Sequence, residues 1–190
     1  MEPIGHEGLG RLLKLEDNLQ TPHVVFSHTD LAESKDLESG GSIRIGKTFD
    51  LPPSPLGLDS DKSPYLQLSE NIAVIDNAYS IQPKKLVEIA ADFRIEAGYS
   101  RLLYAPAVEP SQMPILVYLG VDVFDDLNVE LRSSTGWVLE SGEWIKQNKQ
   151  IDDLFEHNRE ELNRWILRIR NAISNGKLRE LVEMTSLHNP

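Results

Sequence analysis

The chain contains no cysteine. That excludes disulfides, a thiol nucleophile and cysteine-ligated zinc or iron–sulfur sites. Long apolar runs are missing too. No stretch approaches the ~20 consecutive apolar residues of a membrane span, so no membrane association is expected. The N-terminal MEPIGHEG has neither a basic region nor an apolar signal core, so export is not expected and the cytoplasm is the expected setting. Positive charge is scarce: 19 Lys and Arg stand against 30 Asp and Glu, a formal net charge of −11. Such a chain repels phosphate and is a poor lone binder of nucleic acid. The deficit is uneven. From Asn158 to Pro190 six Lys and Arg face four Glu, a local +2, which leaves −13 on the remaining 157 residues. These charges suit solvated helix faces, and also a basic C-terminal edge that could meet RNA or an acidic partner. Nucleophilic triads and paired metal histidines are absent. His6, His23, His28, His157 and His188 are scattered, with no two one helical turn apart, and read as surface or capping residues. Gly40-Gly41 with Gly46-Lys47-Thr48 has the wrong spacing for a phosphate loop, and no strong strand precedes it.

What remains is a globular composition. With 190 residues, 40% hydrophobic and 26% charged, the chain can form one domain with a sizeable core. It falls short of the roughly 250 residues of a full eight-stranded α/β barrel. A single domain over 1–190 is expected, in four stretches: a hairpin and short elements over 1–49, a connector over 50–63, βα repeats over 64–129, and a hairpin with a helical tail over 130–190. In the first stretch Arg11 to Leu15 and Val24 to Phe26 read as hairpin arms around Glu16-Asp17-Asn18. They are expected to cap a core rather than join a βα series. Ser27 to Gly41 is polar and acidic, and Ser42 to Phe49 reads as a short strand.

The regular part begins at Pro64. Ile72 to Ile75 is a β-branched run ending at Asp76, a strand. Gln82 to Ala97 is a helix with Pro83 in its first turn and Leu86, Ile89, Ala90 and Phe93 on one face. Leu102 to Ala105 is the next strand. Pro110 to Leu119 is a short helix stopped by Gly120. Val121 to Phe124 is the third strand, ending on Asp125 and Asp126. The alternation predicts parallel pairing. In such repeats the C-terminal strand ends face the ligand crevice, so Asp125 is the candidate for chemistry, as nucleophile or general base. Asp122 and Asp126 read as polar edges. A crevice at Asp125 containing Tyr104 and Asp76 would favour ligand binding; a filled one would favour interaction alone. Beyond Asp126, Val129 to Ser134 reads as an edge strand. Thr135 to Trp144 reads as a hairpin with two tryptophans. A helix from Asp152 carries the stripe Leu162, Trp165, Ile166, Ile169, Ala172 and Ile173, closed by Asn175-Gly176. A last helix covers Lys177 to Met184.

Three blocks resemble tRNA-guanine transglycosylases in that family's order. They are GLGRLLKLEDNLQTP, LLYAPAVEPSQMPILVYLGVDVFDD and EHNREELNRWILRIRNAISNGKLRELVE. The resemblance implies a shortened, TIM-barrel-like α/β domain with an N-terminal hairpin and a helical tail. It implies that Asp125 stands where the family keeps its ribose-attacking aspartate, with Asp122 in the same motif, and that His157 stands where it keeps a zinc-ligating histidine. The three zinc cysteines expected between Asp126 and His157 are absent, so no metal and no cofactor is expected. Glu38-Ser39-Gly40-Gly41 is faintly similar to the segment holding the family's general acid/base, with Glu for Asp. The middle of the barrel, with its base-recognising residues, is missing. A domain reduced in this way resembles the N-terminal part of archaeosine synthase, which acts on a nitrile-bearing deazaguanine already installed in tRNA. That implies a subunit of a split or truncated member. Its partner chain would carry the catalytic and PUA domains, and tRNA would be met through the complex. A homo-oligomer is the other way to cover exposed sheet edges. Two alternatives stand beside this. One is an active transglycosylase using Asp125; the other is a non-catalytic binding or interaction domain.

Overall fold

A computed structural model describes residues 1–16, 19–26, 43–45, 49–51, 65–68, 70–76, 78, 81–146, 151 and 153–186. The elements, in chain order, are β1 (Glu2–Glu7), β2 (Gly10–Glu16), β3 (Leu19–Gln20), β4 (His23–Val25), β5 (Ile43–Ile45), β6 (Phe49–Leu51), β7 (Leu66–Leu68) and β8 (Ile72–Ile75). Helix α1 (Pro83–Ala97), β9 (Leu102–Tyr104), a 3-10 turn (Pro110–Gln112), α2 (Met113–Tyr118) and β10 (Val123–Asp125) follow. Then come α3 (Leu127–Ser134), β11 (Trp137–Glu140), β12 (Glu143–Lys146), α4 (Leu154–Ser174) and α5 (Leu178–Ser186).

The central sheet has the order β4-β10-β9-β8-β7. β8, β9, β10 and β4 are parallel, and β7 is antiparallel to β8. The expected alternation of β8, α1, β9, α2 and β10 is therefore present as a mixed α/β unit. Its residues alternate between two faces, as the period of two demands. Ala73, Ile75, Leu103, Ala105 and Phe124 join Leu86, Met113, Leu116, Trp165, Ile169 and Ile173 in the larger core under the helices. Ile72, Val74, Leu102, Tyr104 and Val123 form a second core with Val25 and with Leu13 of β2. The tail stripe is buried as its spacing predicts: Leu162, Trp165, Ile166, Ile169 and Ile173 are each 3% exposed or less.

Two expected elements are different. Val24 to Phe26 is no hairpin arm. β2 pairs with β1 and β3 in a separate antiparallel sheet. β4 instead lies parallel to β10, with Val24 opposite Phe124. The apolar pair Val24 and Val25, each 1% exposed, is worth more in the main core than in a capping hairpin. Val129 to Ser134 is no edge strand. It lies in α3, where Val129 is the one buried residue and Leu131 is exposed. One inward apolar side chain in a helix of two turns fits a period of two as well as a period of 3.6. Asp122 and Asp126 are also not polar edges, being 1% and 0% exposed. Ser42 to Phe49 contains β5, which pairs antiparallel with β6. The reading of Ser27 to Gly41, the Glu38 to Gly41 segment and most of the 50–63 connector fall outside the described residues.

Candidate functional site

Strand β10 points Val123 and Asp125 to one face and Phe124 to the other. Tyr104 of β9 is registered with Val123, so its ring lies on the Asp125 face. The Tyr104 hydroxyl donates to Asp125 Oδ2 at 2.5 Å. The other oxygen, Oδ1, accepts the N–H of Ala107 at 2.9 Å and of Leu127 at 3.2 Å. Asp125 is 5% exposed and Tyr104 1%. One carboxylate thus ties three segments together: the end of β9, the loop after it, and the first turn of α3. Charge-assisted bonds of this kind are the stronger class.

Burial is the largest influence on the Asp125 carboxyl and pushes it up to about 6. Its hydrogen bonds to Tyr104, Ala107 and Leu127 pull it down, and the neighbouring Asp126 charge adds to the rise. Tyr104 is raised well above its ordinary value, first by burial and then by the Asp125 charge, so its hydroxyl keeps its proton and donates. Asp76 follows β8, is 5% exposed, and its N–H donates to Tyr65 O at 3.0 Å. Tyr104 and Asp125 are therefore in direct contact, and Asp76 is buried at the end of the neighbouring strand.

Beside this pair a groove of about 1020 Å³ opens over the strand ends, lined among others by Ala107, Val108, Glu109, Leu127, Leu131 and Arg132. Asp125, Tyr104 and Asp76 are not on its wall; Ala107 and Leu127, the two residues Asp125 holds, are. Glu109 is held in turn by Arg132 Nη2 at 2.6 Å and Trp144 Nε1 at 2.6 Å.

Sequence reasoning missed a second buried charge centre at the opposite end of β10. Asp122 accepts from Arg11 Nε (3.1 Å) and Nη2 (2.5 Å), from Arg94 Nη1 (2.8 Å) and from the Leu103 N–H (2.9 Å). Two guanidiniums converge on one carboxylate, and the Tyr99 ring lies within 5.8 Å of both. Arg94 sits on the inward face of α1, four residues after Ala90, which was the only sequence signal. It also missed Asn158. Its Oδ1 accepts the Leu139 N–H at 2.8 Å, while Nδ2 donates to Trp137 O at 2.8 Å and Ser133 Oγ at 2.9 Å.

The zinc implied by the transglycosylase resemblance does not fit this chain. His157 lies half-buried in the first turn of α4, beside an Asn158 turned into the β11 hairpin. No cysteine exists, and among the described residues no group of three or more His, Asp or Glu side chains could hold a metal ion. Among those residues no helix is long and apolar enough to cross a membrane.

No family model matches the chain. It does resemble archaeosine synthase. It is 29% identical over 121 residues to "Archaeosine synthase" of Methanocaldococcus jannaschii, covering 63% of this chain and 21% of that protein. It is 29% identical over 118 residues to "Archaeosine synthase subunit alpha" of Thermoplasma acidophilum, covering 60% of this chain and 22% of that one. The matched stretch spans about a fifth of the length of these curated relatives.

Proposed function

We propose that the chain takes part in archaeosine formation in tRNA as a shortened-barrel subunit that is not catalytic alone. The observation that carries this reading is the similarity to two archaeosine synthases, combined with a strand-end carboxylate committed to internal bonds. The sheet order supports the shortened barrel. The N-terminal strand β4 lies parallel beside β10, the last strand of the series, as first and last strands do in a closed barrel. The parallel run β4-β10-β9-β8, edged by the antiparallel β7, is the order expected of a barrel that has lost its middle. On this reading 1–190 is one domain, its cytoplasmic partner is a second chain carrying the catalytic and PUA portions, and tRNA is met through that complex. One relative is itself named a subunit, which fits a divided enzyme.

In this reading Asp125 is a clamp. It fixes Ala107 and Leu127, and through them the groove wall. The second reading makes Asp125 the nucleophile that attacks ribose C1′. Its place at a strand end, beside a groove, and a carboxyl held up to about 6 favour that reading. Its burial opposes it, because attack through either oxygen requires that oxygen to be freed, Oδ2 from Tyr104 or Oδ1 from Ala107 and Leu127, and the site to open to ribose. Two measurements separate the readings. Radiolabelled guanine incorporated into tRNA by the purified chain, and lost in Asp125→Asn, establishes the nucleophile. No incorporation above background, together with lost tRNA archaeosine in a deletion strain, establishes the subunit.

A further inference from the structure

The transglycosylase resemblance implies a zinc held by His157 and by three cysteines between Asp126 and His157. A metal with those ligands would join the stretch after β10 to the first turn of α4. The cysteines are absent, and yet the same two segments are joined. Asn158, one residue past the histidine, is 0% exposed. Its Oδ1 accepts the Leu139 N–H at 2.8 Å, and its Nδ2 donates to Trp137 O at 2.8 Å and to Ser133 Oγ at 2.9 Å. The Ser133 hydroxyl donates in turn to Val129 O at 2.6 Å. One amide thus spends its oxygen on β11 and its two protons on β11 and α3. The pattern demands an amide: a carboxylate at 158 would accept from Leu139 but have no proton for the Trp137 carbonyl.

The consequence reaches the groove over the strand ends. Leu139 pairs across the hairpin with Trp144 of β12. Trp144 Nε1 donates to Glu109 Oε2, and Arg132 of α3 holds Glu109 Oε1, each at 2.6 Å. Asn158 is therefore bonded to both elements, the hairpin and α3, that grip Glu109 on the groove wall. The hairpin turn is close-packed on α4 as well: a Cβ at Gly142 would meet Trp165 Cε2 at 2.6 Å. With the turn seated on α4 and the strand tied to Asn158, the hairpin is held at two points without a metal.

We propose that Asn158 takes the place of zinc in this chain. It is a metal-free lock that fastens α3 and the β11–β12 hairpin to α4 and, through Arg132 and Trp144, sets Glu109 on the groove wall. Two measurements on the full chain test it. The first is zinc content and melting of the wild-type protein, purified without chelator and then treated with excess EDTA. Less than a tenth of a zinc per chain and an unmoved midpoint are expected; stoichiometric zinc, or a midpoint lowered by EDTA, overturns the proposal. The second uses the indole N–H signals of the three tryptophans in a nitrogen-15 correlation spectrum. Asn158→Ala should move the Trp144 signal to the position of a solvent-exposed indole. The Trp165 signal should stay that of a bonded one, because its Nε1 donates to Pro110 O at 2.9 Å, outside the hairpin. Ser133→Ala removes one of the three bonds and should move the Trp144 signal part of the way, which keeps the test open if Asn158→Ala does not fold. His157→Ala should move neither signal. A Trp144 signal that stays in place in the folded Asn158 and Ser133 variants, or that moves in His157→Ala, overturns the lock.

Discussion

Arg94 Nη1 donates to Asp122 Oδ2 at 2.8 Å, and neither side chain is more than 1% exposed. The bond joins α1 to the residue preceding β10, and Arg11 of β2 completes it from the other side. Burial pulls the Arg94 pKa down and the Asp122 charge opposes that. Removing the carboxylate leaves two guanidiniums in the interior without their counter-charge. Asp122→Ala should therefore cost about 3–5 kcal/mol in urea denaturation. A loss under about 1 kcal/mol would contradict the role given to this centre.

Asp125→Asn tests the clamp through pH. The native carboxyl titrates near 6 against an ordinary 3.8, so the folded chain holds this proton more tightly than the unfolded one. The stability it confers is full below about 4 and is lost as pH rises through about 6, on the order of 3 kcal/mol for a shift of this size. An asparagine can still accept from Ala107 and Leu127 but cannot titrate. Urea midpoints at several pH values between 4 and 7 should show wild type losing stability relative to the variant. Parallel profiles would refute the buried-carboxylate account.

Gly120 and Gly98 form a matched pair of helix stops. Both have positive φ, +98° and +70°. A Cβ at Gly120 would meet Arg94 Cδ at 2.5 Å, while one at Gly98 meets nothing within 4 Å. Gly98→Ala should cost only the backbone strain at φ +70°, about 1–3 kcal/mol. Gly120→Ala adds to such strain a displaced buried arginine, about 1–3 kcal/mol more, and should be the costlier of the two. Thermal melts of the two variants check the ranking, which equal losses would contradict.

Asn158 separates from its neighbour His157 in the same way. Asn158→Ala strips three hydrogen bonds from a fully buried position and leaves the Leu139 N–H without its acceptor, a loss of about 2–4 kcal/mol. His157→Ala should cost less than about 1 kcal/mol. Denaturant titration of both decides which residue of the His-Asn pair this chain depends on.

These cases also show what was readable beforehand. The parallel order of β8, β9 and β10, the helix stop at Gly120 and the tail stripe followed from periodicity, because each is a local consequence of which side chains face the core. The place of β4 was not readable. Three residues carry no sign of the strand they pair with, about 100 positions later. The helical state of α3 is not legible either, because its one buried valine fits both periods. The buried charges were missed for a related reason. Arg94 and Asp122 lie 28 residues apart, and a charged residue in a helical pattern is ordinarily assigned to solvent. Asp125 and Tyr104 were both singled out, but that they bond each other depends on the register of β9 and β10, which sequence spacing leaves open.

The central claim is participation in archaeosine formation, and tRNA from a strain lacking this chain tests it most directly. Mass spectrometry of the tRNA nucleosides should show archaeosine reduced at least tenfold and its nitrile-bearing deazaguanine precursor accumulated, with both restored by the wild-type chain. Unchanged archaeosine with no precursor would contradict the account.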